Sequence, residues 1–268
     1  MKQALTIAGS DSGGGAGIQA DIKSIEANGV FAASVVCAVT AQNTVEVRGA
    51  VEIPTDFIRS QLEAVFDDLV FSAVKTGMLS SAAIIETVAG FLAQTGVSNL
   101  VVDPVMTSKS GFRLLEDTAT TSLSQNLLPL ATVVTPNLHE AVLLAGIEIE
   151  DVSSMREAAR KIHALGPRYV VVKGGHARFS MGTDVLFDGN SFREFKAEAI
   201  HPKSVHGTGC TFSAALTARL ALGESVETAL ENAKTYVTRA ILNQPDIGSG
   251  HSPGHHFYFV NPSSFRER

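Results

Sequence analysis

The run His206-Gly207-Thr208-Gly209-Cys210-Thr211, continued by Phe212-Ser213-Ala214-Ala215, carries the densest chemistry in the sequence. It reads as a glycine turn opening a helix. Two glycines let the backbone fold tightly, and the unpaired N–H groups of a helix start converge on an anion with the positive end of the helix dipole behind them. That geometry suits phosphoryl transfer, in which charge on the moving group must be stabilised. An ordinary glycine turn with a capping threonine would show the same residues. Cys210 falls at the helix start, where the dipole lowers a thiol pKa, so a thiolate is predicted for proton abstraction or substrate contact. A small buried residue is the plainer alternative.

A second glycine run, Gly9-Ser10-Asp11-Ser12-Gly13-Gly14-Gly15-Ala16-Gly17, follows an apolar stretch and precedes a helical pattern carrying Gln19, Asp21 and Lys23. It fits neither the dinucleotide spacing G-x-G-x-x-G nor a phosphate loop ending in Gly-Lys-Ser/Thr. It can still let a flat ligand approach the backbone at the carboxyl end of a strand, or serve as a tight turn only.

Four further stretches stand after apolar runs: Ala41-Gln42-Asn43, Val102-Asp103-Pro104-Val105-Met106, Thr135-Pro136-Asn137-Leu138-His139-Glu140 and Val172-Lys173-Gly174-Gly175-His176. Their shared location is the argument for one site. Asn137 and Glu140 are three apart at a helix start, so both can face that site and hold Mg²⁺-bound water, or simply cap the helix. Lys173, ending Tyr-Val-Val-Val-Lys, can reach a nucleotide phosphate. His251, His255 and His256 are not read as metal ligands, because Gly250, Pro253 and Gly254 deny the stretch a helix and no cysteine accompanies it.

The elements that must position these residues follow from the apolar runs. Ala4–Ala8, Ala32–Val39, Ala73–Lys75, Leu100–Val102, Thr132–Thr135 and Tyr169–Lys173 are β-rich and mostly separated by helical periodicity, as in parallel βαβ units. Helices are predicted from Ile18, over Thr55 to Leu69, Ser81 to Ala93, Leu138 to Ala145 and Met155 to Leu165, and in two segments after Cys210, with Thr55 and Ser81 at helix starts. Thr44–Ile53, and Asp184–Phe195 around the Asp188–Gly189 turn, each read as strands joined by a turn and suit antiparallel additions at a sheet edge. Gly248–Gly254 reads as a flexible tail loop.

A chain of 268 residues with 45% hydrophobic and 18% charged residues buries a sizeable core, and residues 1–268 are expected to form a single α/β domain. The balance of 21 basic and 27 acidic residues, −6 overall, repels polyanions, so neither nucleic acid nor a membrane is an expected partner and any phosphate must be gripped locally. Met1 to Gln3 lead into an apolar strand without the features of a leader, and no apolar run is long enough to span a bilayer, which predicts a cytoplasmic protein. The two cysteines make no disulfide framework, and Cys37, inside an apolar run, is expected in the core.

Taken in order, the motifs resemble the hydroxymethylpyrimidine and hydroxymethylpyrimidine-phosphate kinases of thiamin biosynthesis, within the ribokinase-like superfamily. The resemblance runs through Ala4-Leu5-Thr6-Ile7-Ala8-Gly9-Ser10-Asp11, Ile18-Gln19-Ala20-Asp21, Thr40-Ala41-Gln42-Asn43-Thr44, Lys75-Thr76-Gly77-Met78-Leu79, Asp103-Pro104-Val105-Met106 and Lys109-Ser110-Gly111. It continues through Thr135-Pro136-Asn137, Lys173-Gly174-Gly175-His176 and the Gly207–Cys210 turn to His255-His256-Phe257. It implies a ribokinase-like fold, a mostly parallel sheet with helices on both faces and short antiparallel edge additions. It implies a substrate pocket lined by Gly9, Ala16, Asp21, Gln42, Met78, Val105 and Cys210. Catalysis would fall to Cys210, Gly207, Thr208, Gly209 and Lys173, nucleotide binding to Lys173, Asn137, Thr208 and Gly209, and Mg²⁺, held through water, to Asp103 and Glu140 with Asn137 beside them. Where the family commonly carries Asn-Thr, this chain has Ser204-Val205.

The expected activity is ATP-dependent phosphorylation of 4-amino-5-hydroxymethyl-2-methylpyrimidine and then of its monophosphate, with Mg²⁺. The alternatives are a pyridoxal kinase of the cysteine-containing type and a non-catalytic pyrimidine or nucleotide sensor; Lys173, Glu140 and the glycine turn argue against the sensor. A homodimer stays open.

Overall fold

Short apolar strands with side chains buried alternately on two faces need helices on both sides, and the chain supplies them in turn. The computed structural model describes residues 1–106, 117–175, 179, 182–196 and 205–260. The first half runs β1 (Gln3–Asp11), α1 (Gly17–Ala27), β2 (Phe31–Gln42), β3 (Val47–Glu52), α2 (Thr55–Asp68), β4 (Ala73–Thr76), α3 (Ala82–Thr95) and β5 (Leu100–Val102). After it come α4 (Asp117–Ser122), β6 (Val133–Val134), α5 (Leu138–Ala145), α6 (Val152–His163), β7 (Tyr169–Val172), β8 (Thr183–Phe187), β9 (Phe192–Lys196), α7 (Thr208–Ala221) and α8 (Val226–Leu242).

All nine strands join one sheet in the order β3-β2-β1-β4-β5-β6-β7-β8-β9. From β2 through β7 the pairs are parallel; β3 is antiparallel to β2 at one edge, and β8 and β9 are antiparallel at the other. The expected parallel sheet with antiparallel edge additions is therefore present. Chain direction across the sheet reverses between β1 and β4, and open α/β sheets bind ligands outside the carboxyl ends of the strands at such a switch.

Leu5, Ile7, Val74, Val102, Val134 and Val170 face α2, α3, α5 and α6 in the larger core. Val101, Val133 and Val171 face α7 and α8. Ala4 and Ala73 meet Ile25 of α1 and Ala214, Ala218 and Ala221 of α7, small residues that let α7 lie close behind the sheet centre. Cys37 is buried in the larger core, as expected.

Two expectations change, and one helix was not foreseen. Thr44–Ile53 is a turn and one strand, because β2 extends to Gln42 and itself supplies the antiparallel partner; the Asn43 side chain accepts from the N–H groups of Val45 and Glu46 to make the turn. Thr55 and Ser81 do stand at helix starts, Thr55 as the first residue of α2 and Ser81 at the N-cap of α3, where its hydroxyl is 3.2 Å from Glu52. The helix α4 was not legible as a separate element. The Gly248–Gly254 loop is fastened, not loose: Gly250 and His251 donate to Thr44, and Ser252 accepts from the N–H of His206. The Lys109-Ser110-Gly111 motif, His176 and Ser204 lie outside the described residues.

Candidate active site

At the carboxyl ends of the central strands a cavity of about 250 Å³ opens at the β1/β4 switch. Each strand end brings its own chemistry. From β1 and the turn after it come Gly9, Ser10, Asp11 and Ala16; from β2, Thr40 and Gln42; from β4, Lys75 and Met78. Asp103 and Val105 follow β5, Asn137 and Glu140 open α5, Lys173 follows β7, and His206 to Cys210 lead into α7. Every substrate, nucleotide and metal residue expected from the sequence lines this cavity except Asp21.

The turn into α7 is shaped by glycine. Gly207 occupies its N-cap with φ +75° and no side-chain cap, which leaves the first N–H groups of α7 free of such a partner. A Cβ at Gly207 would overlap the carbonyl oxygen of Gly15, so the two glycine runs touch only because neither carries a side chain there. The open face of Gly209 looks toward Lys173 Nζ, 3.5 Å from where its Cβ would stand. A cation and a helix start thus converge on one spot. Also in the cavity wall, Gly9 lies under the Met78 methyl, where any Cβ would overlap it.

Lys173 Nζ donates to Asp103 Oδ1 at 3.1 Å, and Asp103 Oδ2 accepts from Ser213 Oγ at 3.0 Å. Asn137 and Glu140 form a capping box: Asn137 Oδ1 accepts from the N–H of Glu140, and Glu140 Oε2 accepts from the N–H of Asn137. The pair therefore caps α5 and faces the cavity at once.

Asp21 departs from expectation. It lies on the face of α1 turned to the sheet, fully buried, and accepts from Thr6 Oγ1 at 2.6 Å and from Lys75 Nζ at 2.8 Å. It supports the pocket floor from behind while Lys75 forms that floor. Lys75, Asp11 and His206 are the titratable cavity residues given no role from sequence. Lys75 had a signal: a lysine near the end of a short apolar strand, the pattern that marked Lys173.

The profile of the phosphomethylpyrimidine kinase family matches residues 11–255. A hydroxymethylpyrimidine/phosphomethylpyrimidine kinase of Haemophilus influenzae is 48% identical over 264 residues, 97% of this chain and 98% of its own length. The chain belongs to the phosphomethylpyrimidine kinase family. It is also 48% identical, over 252 residues, to a bifunctional thiamine biosynthesis protein of Geobacter sulfurreducens, and the match spans 51% of that longer protein. Among solved structures, an ADP complex of Bacillus subtilis pyridoxal kinase superposes with a TM-score of 0.89 at 40% identity, covering 97% of this chain and 98% of that one. The fold is ribokinase-like and the chain a phosphotransferase.

In this phosphomethylpyrimidine kinase family member the thiol does not behave as the helix dipole alone predicts. Burial pushes Cys210 up to about 12; the Lys75 charge works against the rise, while Asp21 and Asp103 add to it. The expected thiolate is thus absent from the free site near neutral pH. Burial also lifts Glu140 to about 7, against the pull of Lys173. Asp103 moves the other way: burial opposes its charge, but Lys173 and Lys75 hold it below the usual carboxylate range.

Among the described residues no three His, Cys, Asp or Glu side chains converge to hold a metal ion. Two carboxylates, Asp103 and Glu140, lie beside Lys173 in the cavity. That set fits Mg²⁺, which keeps several waters, shares substrate phosphates and needs only one or two protein carboxylates.

Proposed function

We propose that the chain transfers the γ-phosphoryl group of ATP to the hydroxyl of 4-amino-5-hydroxymethyl-2-methylpyrimidine, and then a second group to the monophosphate, yielding the pyrophosphate for thiamin biosynthesis. The observation that carries this is one cavity lined by two unlike sets of residues that adjoin each other. Gln42, Met78, Gly9, Ala16 and Val105 make a flat, partly apolar slot, and Lys173 with the Gly207–Cys210 turn makes an anion site.

In the slot, Gln42 meets the aminopyrimidine edge, since an amide pairs an acceptor and donors with a ring nitrogen and an amino group. At the anion site, the N–H groups of Thr208, Gly209 and Cys210 and the Lys173 ammonium hold the transferring phosphoryl group, with Asn137 on the nucleotide side. Bound Mg²⁺ would neutralise phosphate charge, and Asp103 and Glu140 would orient its waters. A loose transition state asks little early deprotonation of the alcohol, so a protonated Cys210 thiol can serve by contacting and aiming the hydroxyl. The chain acts as one kinase domain, residues 1–268, in the cytoplasm.

Product identification by mass spectrometry, after separate incubations of the pyrimidine, pyridoxal and pyridoxine with Mg·ATP, tests the reading. The pyrimidine monophosphate and pyrophosphate are expected. Pyridoxal phosphate without the pyrimidine pyrophosphate would favour the second reading, a pyridoxal kinase, which the close superposition on the Bacillus subtilis enzyme keeps in view.

A further inference from the structure

Asp11, His206 and Gln42 meet where the slot opens, and the hydrogens available to them are few. Asp11 accepts from the N–H groups of Gly13 at 2.8 Å, Gly15 at 3.1 Å and Ala16 at 2.8 Å, and its Oδ2 is 3.1 Å from His206 Nε2. Burial works against its charge, but the bonds from His206, Ala16 and Gly13 hold its carboxyl below the usual range. An ionised carboxylate only accepts, so His206 Nε2 carries a proton and donates it to Asp11.

That proton constrains Gln42. As placed, the amide nitrogen of Gln42 is 2.8 Å from His206 Nε2, and its oxygen is 3.3 Å from Thr40 Oγ1. Two N–H groups cannot bond to each other. At the far end, Thr40 has one hydroxyl hydrogen, and Ser10 O already accepts it at 2.9 Å. Exchanging the amide oxygen and nitrogen resolves both ends: the oxygen then shares the His206 N–H, and the nitrogen donates to Thr40 Oγ1.

We propose that Asp11 and His206 are positioning residues that fix the Gln42 amide with its oxygen toward His206, leaving the second amide hydrogen as the donor offered to a substrate ring nitrogen. The proposal rests on the reading that Gln42 meets the pyrimidine edge. Neither residue needs to touch the substrate.

The test compares kcat/KM for the pyrimidine with that for its analogue in which C–H replaces the ring nitrogen beside the amino group. The enzyme should prefer the pyrimidine by about tenfold or more, because the analogue leaves the amide donor unpaired. His206→Phe should collapse that preference with the KM for ATP little changed, His206→Gln should restore part of it, and His206→Phe should add nothing to Gln42→Met. A preference lost in Gln42→Met but kept in folded His206→Phe overturns the positioning role and leaves the Gln42 reading standing. A preference kept in both overturns both. Should His206→Phe fail to fold, the ¹⁵N shift of His206 Nε2 in the ligand-free enzyme decides: a protonated nitrogen is expected, and a bare one overturns the proposal.

Discussion

Lys75 and Cys210 show how burial decides what a side chain can do. Burial works against the Lys75 ammonium, but the Asp21 carboxylate beside it holds its pKa above the usual lysine value. Among the described residues Asp21 Oδ1 has no hydrogen-bond partner, so that carboxylate depends on Lys75 and Thr6 for its tolerance. Lys75→Ala should therefore cost about 3–5 kcal/mol in urea unfolding, whereas the double change Asp21→Leu with Lys75→Met should recover most of it. A single variant as stable as the parent would show that the pair is not the support described. For Cys210, a pKa pushed up to about 12 keeps the thiol protonated at pH 8. Iodoacetamide should label the free enzyme slowly there. Cys210→Ala should slow alcohol phosphorylation about ten- to hundredfold in single turnover, and the monophosphate step less, because only the alcohol presents the hydroxyl that the thiol aims. Rapid labelling at pH 8, or equal losses in both steps, would contradict the protonated, hydroxyl-aiming role.

At the scale of elements, glycines do what capping residues alone cannot. Gly207→Ala should cut turnover by about a hundredfold or more while far-UV circular dichroism stays unchanged. The new Cβ must displace the Gly15 carbonyl, whereas α7 remains anchored through Phe212 and Leu216. Gly223 also has positive φ, +91°, but among the described residues none beyond its chain neighbours comes within 4 Å of its Cβ position. Gly223→Ala should thus cost only about 1–2 kcal/mol of backbone strain and leave turnover alone. Similar loss of activity in both would mean that backbone strain, not the contact with Gly15, is what matters. Most elements were legible because local patterns dictate them: the run Leu138 to Ala145 is the observed α5, and the Asp188–Gly189 turn does join β8 to β9. What escaped depended on partners distant in sequence. The Asn43 turn is understood only once β2 is seen to reach Gln42. Asp21 sits in a recognisable motif, yet only the helix face it occupies reveals that it serves Lys75 rather than the cavity.

Across the whole molecule, the segment after α8 ties distant parts together, which its glycines and histidines did not announce. It bonds Thr44 between β2 and β3, the backbone of His206, and the end of α8, where Ala240 O accepts from the N–H of His255. His256 is its inner anchor. The residue is 4% exposed, Nε2 lies 3.2 Å from Thr211 Oγ1 on α7, and its carbonyl accepts from Tyr236 Oη at 2.9 Å. Burial, with Lys23 and His255 nearby, lowers its pKa to about 4, below the 6.5 of an exposed imidazole. The unfolded chain therefore takes up this proton first as pH falls. The stabilisation from neutral His256 is complete above pH 6.5 and is lost between 6.5 and about 4, by up to roughly 3 kcal/mol. Asp11 acts in the same direction, but its depressed carboxyl loses its contribution only below its unfolded value of 3.8, outside that window. Glu140, lifted to about 7, works the other way over the same range, because the folded chain takes up that proton first. The prediction is therefore on the difference: His256→Gln, less stable than the parent at pH 7, should close much of that gap in urea midpoint between pH 6.5 and 4.5. Parallel curves for the two proteins would mean that another group carries the acid sensitivity and that the anchor does not depend on a neutral imidazole.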